Sequence, residues 1–91
     1  MQSIEDLELL SIPDLVGRFE KDIRFGCHST RVEAGRSLAG QELQKRAETQ
    51  GAEVVPALAS RLREMSCRSL DGIEERIRDG LDMLLTWIQA E

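Results

Sequence analysis

The sequence predicts an all-α fold of about five helices, and three observations predict it. Val, Ile and Thr never cluster in alternating runs, and glycine-rich hairpin signals are absent. Apolar residues instead recur three and four apart along most of the chain. Finally, one stretch comes twice. IPDLVGRF starts at residue 12 and VPALASRL at residue 55, both with proline second, leucine fourth and arginine seventh.

The first predicted helix is short, about residues 3–10. Ser3 can cap it, and Ile4, Leu7 and Leu10 share one face. The second covers about 12–25, with Ser11 as cap and Pro13 in the first turn, where a missing N–H costs nothing. Ile12, Leu15, Val16, Phe19 and Ile23 make a single stripe, and Gly26 is the expected stop. The third helix is expected over 31–50, from a Thr30–Glu33 pair at capping-box spacing to Gly51. Ala34, Leu38, Ala39, Leu43 and Ala47 give its apolar surface, although the stripe drifts after Gly40. The fourth, about 54–65, repeats the second. Pro56 falls in its first turn, and Val55, Leu58, Leu62 and Met65 form its stripe. The fifth, about 70–90, is the clearest, with Leu70, Ile73, Ile77, Leu81, Leu84 and Ile88 at helical spacing. Burying six such side chains contributes roughly 10 kcal/mol before entropy is counted.

Ninety-one residues bound the chain at one domain. Aromatics make up only 3% of it, so the core must be aliphatic. No apolar run reaches the roughly 18 residues of a membrane span. The opening MQSIEDLELL is acidic and lacks the basic flank and long apolar stretch of a signal peptide, so a cytoplasmic location is expected. Net charge is −5, divided as −4, +3 and −4 over residues 1–22, 23–69 and 70–91. A net acidic chain has no general attraction for nucleic acid, because phosphate neutralisation drives that affinity.

The duplication extends past the proline-led stretches. Arg31 and Arg76, Val32 and Ile77, and Gly35 and Gly80 each lie 45 residues apart. A glycine inside a helix costs about 1 kcal/mol against alanine and marks close backbone approach, so the pair predicts one helix contact made twice. This arrangement resembles HEAT-like (armadillo-type) repeats, in which units of about 40–47 residues are antiparallel helix pairs. Arg31, Ala34 and Leu38 fit the pattern of the family's second helix, and Arg78 and Leu85 fit it partly. Leu81 stands where a small residue is usual. The family's aspartate in the turn is missing from GCHST, while Asp71 supplies one in the second half. The resemblance implies a short right-handed α-α superhelix, with residues 1–11 as a cap helix and 12–50 and 54–90 as two units. It also implies macromolecular binding, most often of proteins. A compact four- or five-helix bundle is the structural alternative.

At 100° per residue, Met83, Gly80 and Trp87 fall on a second side of the helix, roughly 70–130° round from the centre of Ile77, Leu81, Leu84 and Ile88. The fifth helix is thus apolar on two sides. The second side either packs internally or forms a partner or homodimer surface, since Trp and Met are enriched in interface cores. Cys27 and Cys67 follow the two proline-led helices. Stacked units sit about 10 Å apart, wider than a disulfide allows, so free thiols are expected. With His28 they make three ligand types lacking CxxC or HxxxH spacing, and no metal, cofactor or catalytic residue is assigned. Glu74 and Glu75 are ordinary acids of a helix's first turn. The central bases are Arg31, Arg36, Lys45, Arg46, Arg61, Arg63 and Arg68, and some answer nearby acids, as Glu42 does Lys45 or Arg46 at helical spacing.

The leading functional expectation is a non-catalytic protein-interaction module presenting the inner side of residues 30–50 and 70–90. Its partner-binding candidates are Trp87, Met83, Gly80 and Arg36. The acidic ends would steer it toward a basic partner, as in a small acidic inhibitor or immunity-type protein. The alternatives are a nucleic-acid-binding repeat protein using the central bases and a thiol- or metal-dependent enzyme built on Cys27, His28 and Cys67.

Overall fold

Ser11 starts the first helix as expected, its side chain accepting from the Asp14 amide at 3.3 Å. Helix α1 runs Ile12–Arg24 and buries the whole predicted stripe, Ile12, Leu15, Val16, Phe19 and Ile23. The structure, a computed structural model, describes residues 7–90. The first half of the predicted helix over 3–10 therefore lies outside the described residues. In its visible end Leu7 and Glu8 are helical, and the Leu10 amide closes on the Leu7 carbonyl at 3.1 Å.

The next segment departs from expectation. Helix α2 covers only Thr30–Arg36, and its cap is Ser29, one residue before the predicted Thr30. The chain then breaks at Ser37, which takes extended φ/ψ and caps helix α3, Leu38–Ser66. A single helix over 31–50 is thus corrected to two. The reason is polar. The Ser37 hydroxyl accepts from the Gly40 amide at 3.1 Å and donates to Asp22 Oδ2 of α1 at 2.7 Å. That pair of bonds offers the backbone an alternative to continuing the helix.

The expected break near residue 50 is present as a kink. Gln50 is non-helical at φ −124°, ψ 33°, and joins two helical runs within α3. A helix-stopping glycine takes positive φ, and no described glycine does, Gly51 and Gly26 included. Pro56 lies well inside α3, not in a first turn. Its ring crowds the carbonyl four residues earlier, so the helix bends just ahead of it, beside Gly51. After the bend Leu58 and Met65 are buried as expected and Leu62 is half-buried, while Val54 is buried in place of Val55.

Helix α4, Gly72–Gln89, begins with a full capping box. Asp71 accepts from the Glu74 amide at 2.8 Å, and the Glu74 carboxylate accepts from the Asp71 amide at 3.4 Å. Of its predicted stripe, Ile77, Leu81 and Leu84 are buried, Leu70 and Ile88 are half-buried and Ile73 is exposed.

The four helices form an all-α bundle around one aliphatic core in which Phe19 is the only aromatic. Every helix touches the other three. The radius of gyration of 12.3 Å matches the roughly 12 Å of a close-packed chain this long. Two glycines set the approach of the neighbours to α1. A Cβ at Gly40 of α3 would meet Phe19 at 2.9 Å, and one at Gly80 of α4 would meet Ile23 at 3.0 Å. Gly35 has nothing within 4 Å. The expected Gly35–Gly80 equivalence is therefore corrected. Val32 is likewise exposed where Ile77 is buried.

Three arginines tie distant segments together. Arg46 donates to the Leu7, Glu8 and Leu10 carbonyls and pairs with the buried Glu42 at 2.9 Å. Arg76 of α4 donates to the carbonyls of Ile23, in the last turn of α1, and of Gly26 and His28 beyond it. Arg61 of α3 grips Glu20 of α1 through two bonds of 2.8 and 3.0 Å. Those bonds hold the guanidinium pKa above its ordinary value.

Candidate interaction surface

The end of α1 is wound down tightly. The Phe25 amide donates to the Lys21 carbonyl at 3.0 Å, and the Gly26 amide to Ile23 at 3.3 Å. This turn carries the Phe25 side chain past the last core position, Ile23, and leaves it 75% exposed. On the facing side, the break at Ser37 takes Leu38 out of line with the buried Ala34 and leaves it 46% exposed. The Ser37–Asp22 bond holds the start of α3 against the last turns of α1. Both apolar side chains therefore line one open cleft of about 460 Å³, shared with Leu7, Arg18, Lys21, Glu33 and Arg36.

The floor of the cleft is fixed by polar contacts. Glu33 accepts from the His28 amide at 2.8 Å, and the His28 ring Nδ1 lies 2.9 Å from the same oxygen. The backbone bond, then the ring contact, holds the Glu33 carboxyl below its ordinary pKa. A Cβ at Gly26 would fall 2.4 Å from the Glu33 side chain, so glycine lets that carboxylate lie across the turn. Arg36 Nη1 lies 3.3 Å from His28 Nδ1. That nitrogen can either donate to Glu33 or accept from Arg36, not both.

Of the four predicted partner-binding residues, only Arg36 lines this cleft. Trp87 is half-buried against the core and lines a separate groove of about 660 Å³ with Gln44, Lys45, Ala47, Glu48 and Ile88. Met83 is half-buried on α4. Gly80 faces inward onto Ile23 and Thr30, so that side of α4 is partly covered by the protein itself.

Four of the seven central bases are engaged. Arg46 pairs with Glu42, Arg61 with Glu20, Arg68 with Glu74 at 2.7 Å, and Lys45 with Glu8 at 3.7 Å. Cys27 and Cys67 are free and exposed. Among the described residues no group of three or more His, Cys, Asp and Glu is placed to hold a metal ion, and no helix is long and apolar enough to cross a membrane.

Phe25 and Leu38 were not among the predicted site residues. Phe25 did carry a signal, because it falls roughly 140° from the centre of the α1 stripe at 100° per residue. Leu38 carried none, since its exposure follows from the break at Ser37. No protein family, curated protein or solved structure matches this chain.

Proposed function

We propose that this chain is a non-catalytic protein-interaction module that docks its partner in the cleft between the end of α1 and the start of α3. The observation that carries the reading is the joint exposure of Phe25 and Leu38 on one polar-rimmed cleft. Scattered apolar residues on a surface are ordinary. Here, however, one of only three aromatics in the chain stands in water beside a leucine, on a floor crossed by polar contacts. Burying both would contribute about 3–4 kcal/mol of apolar transfer, which folding leaves unused and a partner can collect. A small inhibitor or immunity-type protein would use such a surface.

The test is Phe25→Ser with Leu38→Ser. Both side chains are exposed, so the melting temperature should hold within a few degrees while specific partners retained by the wild-type protein are lost. Identical retention by the two proteins would refute the reading.

A homodimer through the C-terminal helix is a second reading, favoured by the half-buried Trp87 beside an open groove. Sedimentation would give a dimer mass, and Trp87→Ala would reduce it to the monomer. The HEAT-like relation of the two halves is likewise a proposal. Leu15 and Leu58 support it, being fully buried at matching places in the two proline-led stretches.

A further inference from the structure

We infer that the segment docking in the Phe25–Leu38 cleft is acidic and amphipathic, with an apolar side chain or two framed by carboxylates. The inference rests on the interaction reading above and adds the partner's chemistry. Residues 18–36 hold five bases, Arg18, Lys21, Arg24, Arg31 and Arg36, against three acids. Each acid has a partner inside the fold, and Glu20 is answered by an arginine. Glu20 takes the two bonds of Arg61, Asp22 accepts from Ser37, and Glu33 accepts from His28. None of the five bases pairs with an acid among the described residues.

Bases therefore outnumber acids on this face, although the chain as a whole carries −5. Three of those bases, Arg18, Lys21 and Arg36, line the cleft itself beside the two apolar side chains, against the two carboxylates of Asp22 and Glu33. A basic partner would set like charges against them, which an interface strongly disfavours. A segment with carboxylates around an apolar anchor satisfies both halves of the site. The direction is opposite to the steering that net charge alone suggests. Charges within a Debye length of about 8–10 Å dominate what a docking segment meets, and at the cleft the bases are in the majority.

The experiment selects binders from a library of random 12-residue peptides displayed on phage, using the intact protein as bait and Phe25→Ala as counter-bait. Enriched peptides should carry more Asp and Glu than Lys and Arg, around two apolar residues. The best of them, synthesised, should lose about tenfold or more in affinity to Phe25→Ala and to Arg18→Glu with Lys21→Glu. It should also weaken severalfold between 50 and 500 mM NaCl. Peptides that depend on Phe25 but are neutral or basic would end this inference and leave the docking cleft standing. No Phe25-dependent peptide at all would end both. Two other occupants would overturn the peptide assignment. One is a second copy, seen as self-association that Phe25→Ala abolishes. The other is a 20-nucleotide single strand whose low-salt binding is lost with the same substitution.

Discussion

Adding one methyl group at Gly40 separates two accounts of why α3 approaches α1 so closely. If the glycine is only tolerated, Gly40→Ala should stabilise the helix, since alanine is favoured over glycine by up to about 1 kcal/mol. The geometry gives the opposite sign. The new Cβ would lie 2.9 Å from Phe19 Cε1, 3.0 Å from Phe19 Cδ1 and 3.4 Å from the Ala34 carbonyl oxygen. Phe19 is 0% exposed and cannot swing aside into solvent. Overpacking of this kind costs about 1–3 kcal/mol. Gly40 sits in the first turn of α3, where the propensity gain is small, so the net loss should be about 1–2 kcal/mol. For a chain of this length that is a fall in melting temperature of about 5–15 °C. Gly35→Ala is the control. It lies within helix α2 with nothing inside 4 Å, and should stabilise by about 0.5–1 kcal/mol. Thermal and urea unfolding followed by circular dichroism read both variants. A Gly40→Ala protein as stable as the wild type would refute the close-approach account, whatever Gly35→Ala does.

Three further outcomes follow from the arginine ties and the cleft floor. Arg46→Ala strips the partner from the buried Glu42 and the donor from three carbonyls, and should cost about 2–3 kcal/mol in urea unfolding. Removing both charges, as Arg46→Met with Glu42→Leu, should cost less than Arg46→Ala alone. Arg76→Ala should cost about 1–2 kcal/mol and speed hydrogen exchange in residues 25–29, and unchanged exchange there would count against its role. Glu33 gives a pH dependence with a definite sign. Its folded pKa is depressed, so its contribution is present above the unfolded value of about 4.3 and is lost as pH falls through the folded value. Glu33→Gln should flatten that part of the acid limb, and superimposable pH–stability curves would remove the claim.

Sequence periodicity and tertiary structure agree most where one stripe decides everything. In α1, Ser11, Pro13 and five apolar residues at helical spacing fix the start and the buried face, and the structure keeps all of them. In α4 the central Ile77, Leu81 and Leu84 follow from the same logic, while the helix starts at Gly72 behind an Asp71 cap, two residues past the expected start. Agreement fails where a polar side chain competes with the helix. Nothing near Ser37 in sequence marks it as a break, because its partner Asp22 is fifteen residues away in the preceding helix. Once that bond forms, three consequences follow together. α2 shortens, Leu38 turns outward and Gly40 turns onto Phe19.

The cleft is a product of that same contact. Without the break at Ser37, Leu38 would continue the stripe begun by Ala34 and fall on the core side, and Phe25 would stand alone. The aromatic at the end of α1 and the leucine at the start of α3 share a surface because one hydroxyl spans Asp22 and the Gly40 amide. This makes the site separable from the stability of the fold. Phe25 and Leu38 can be changed at little thermodynamic cost, whereas Ser37→Ala should cost stability and disturb the cleft together. A Ser37→Ala protein that lost stability yet kept Phe25-dependent binding at full strength would show that the cleft is held by packing and not by this bond.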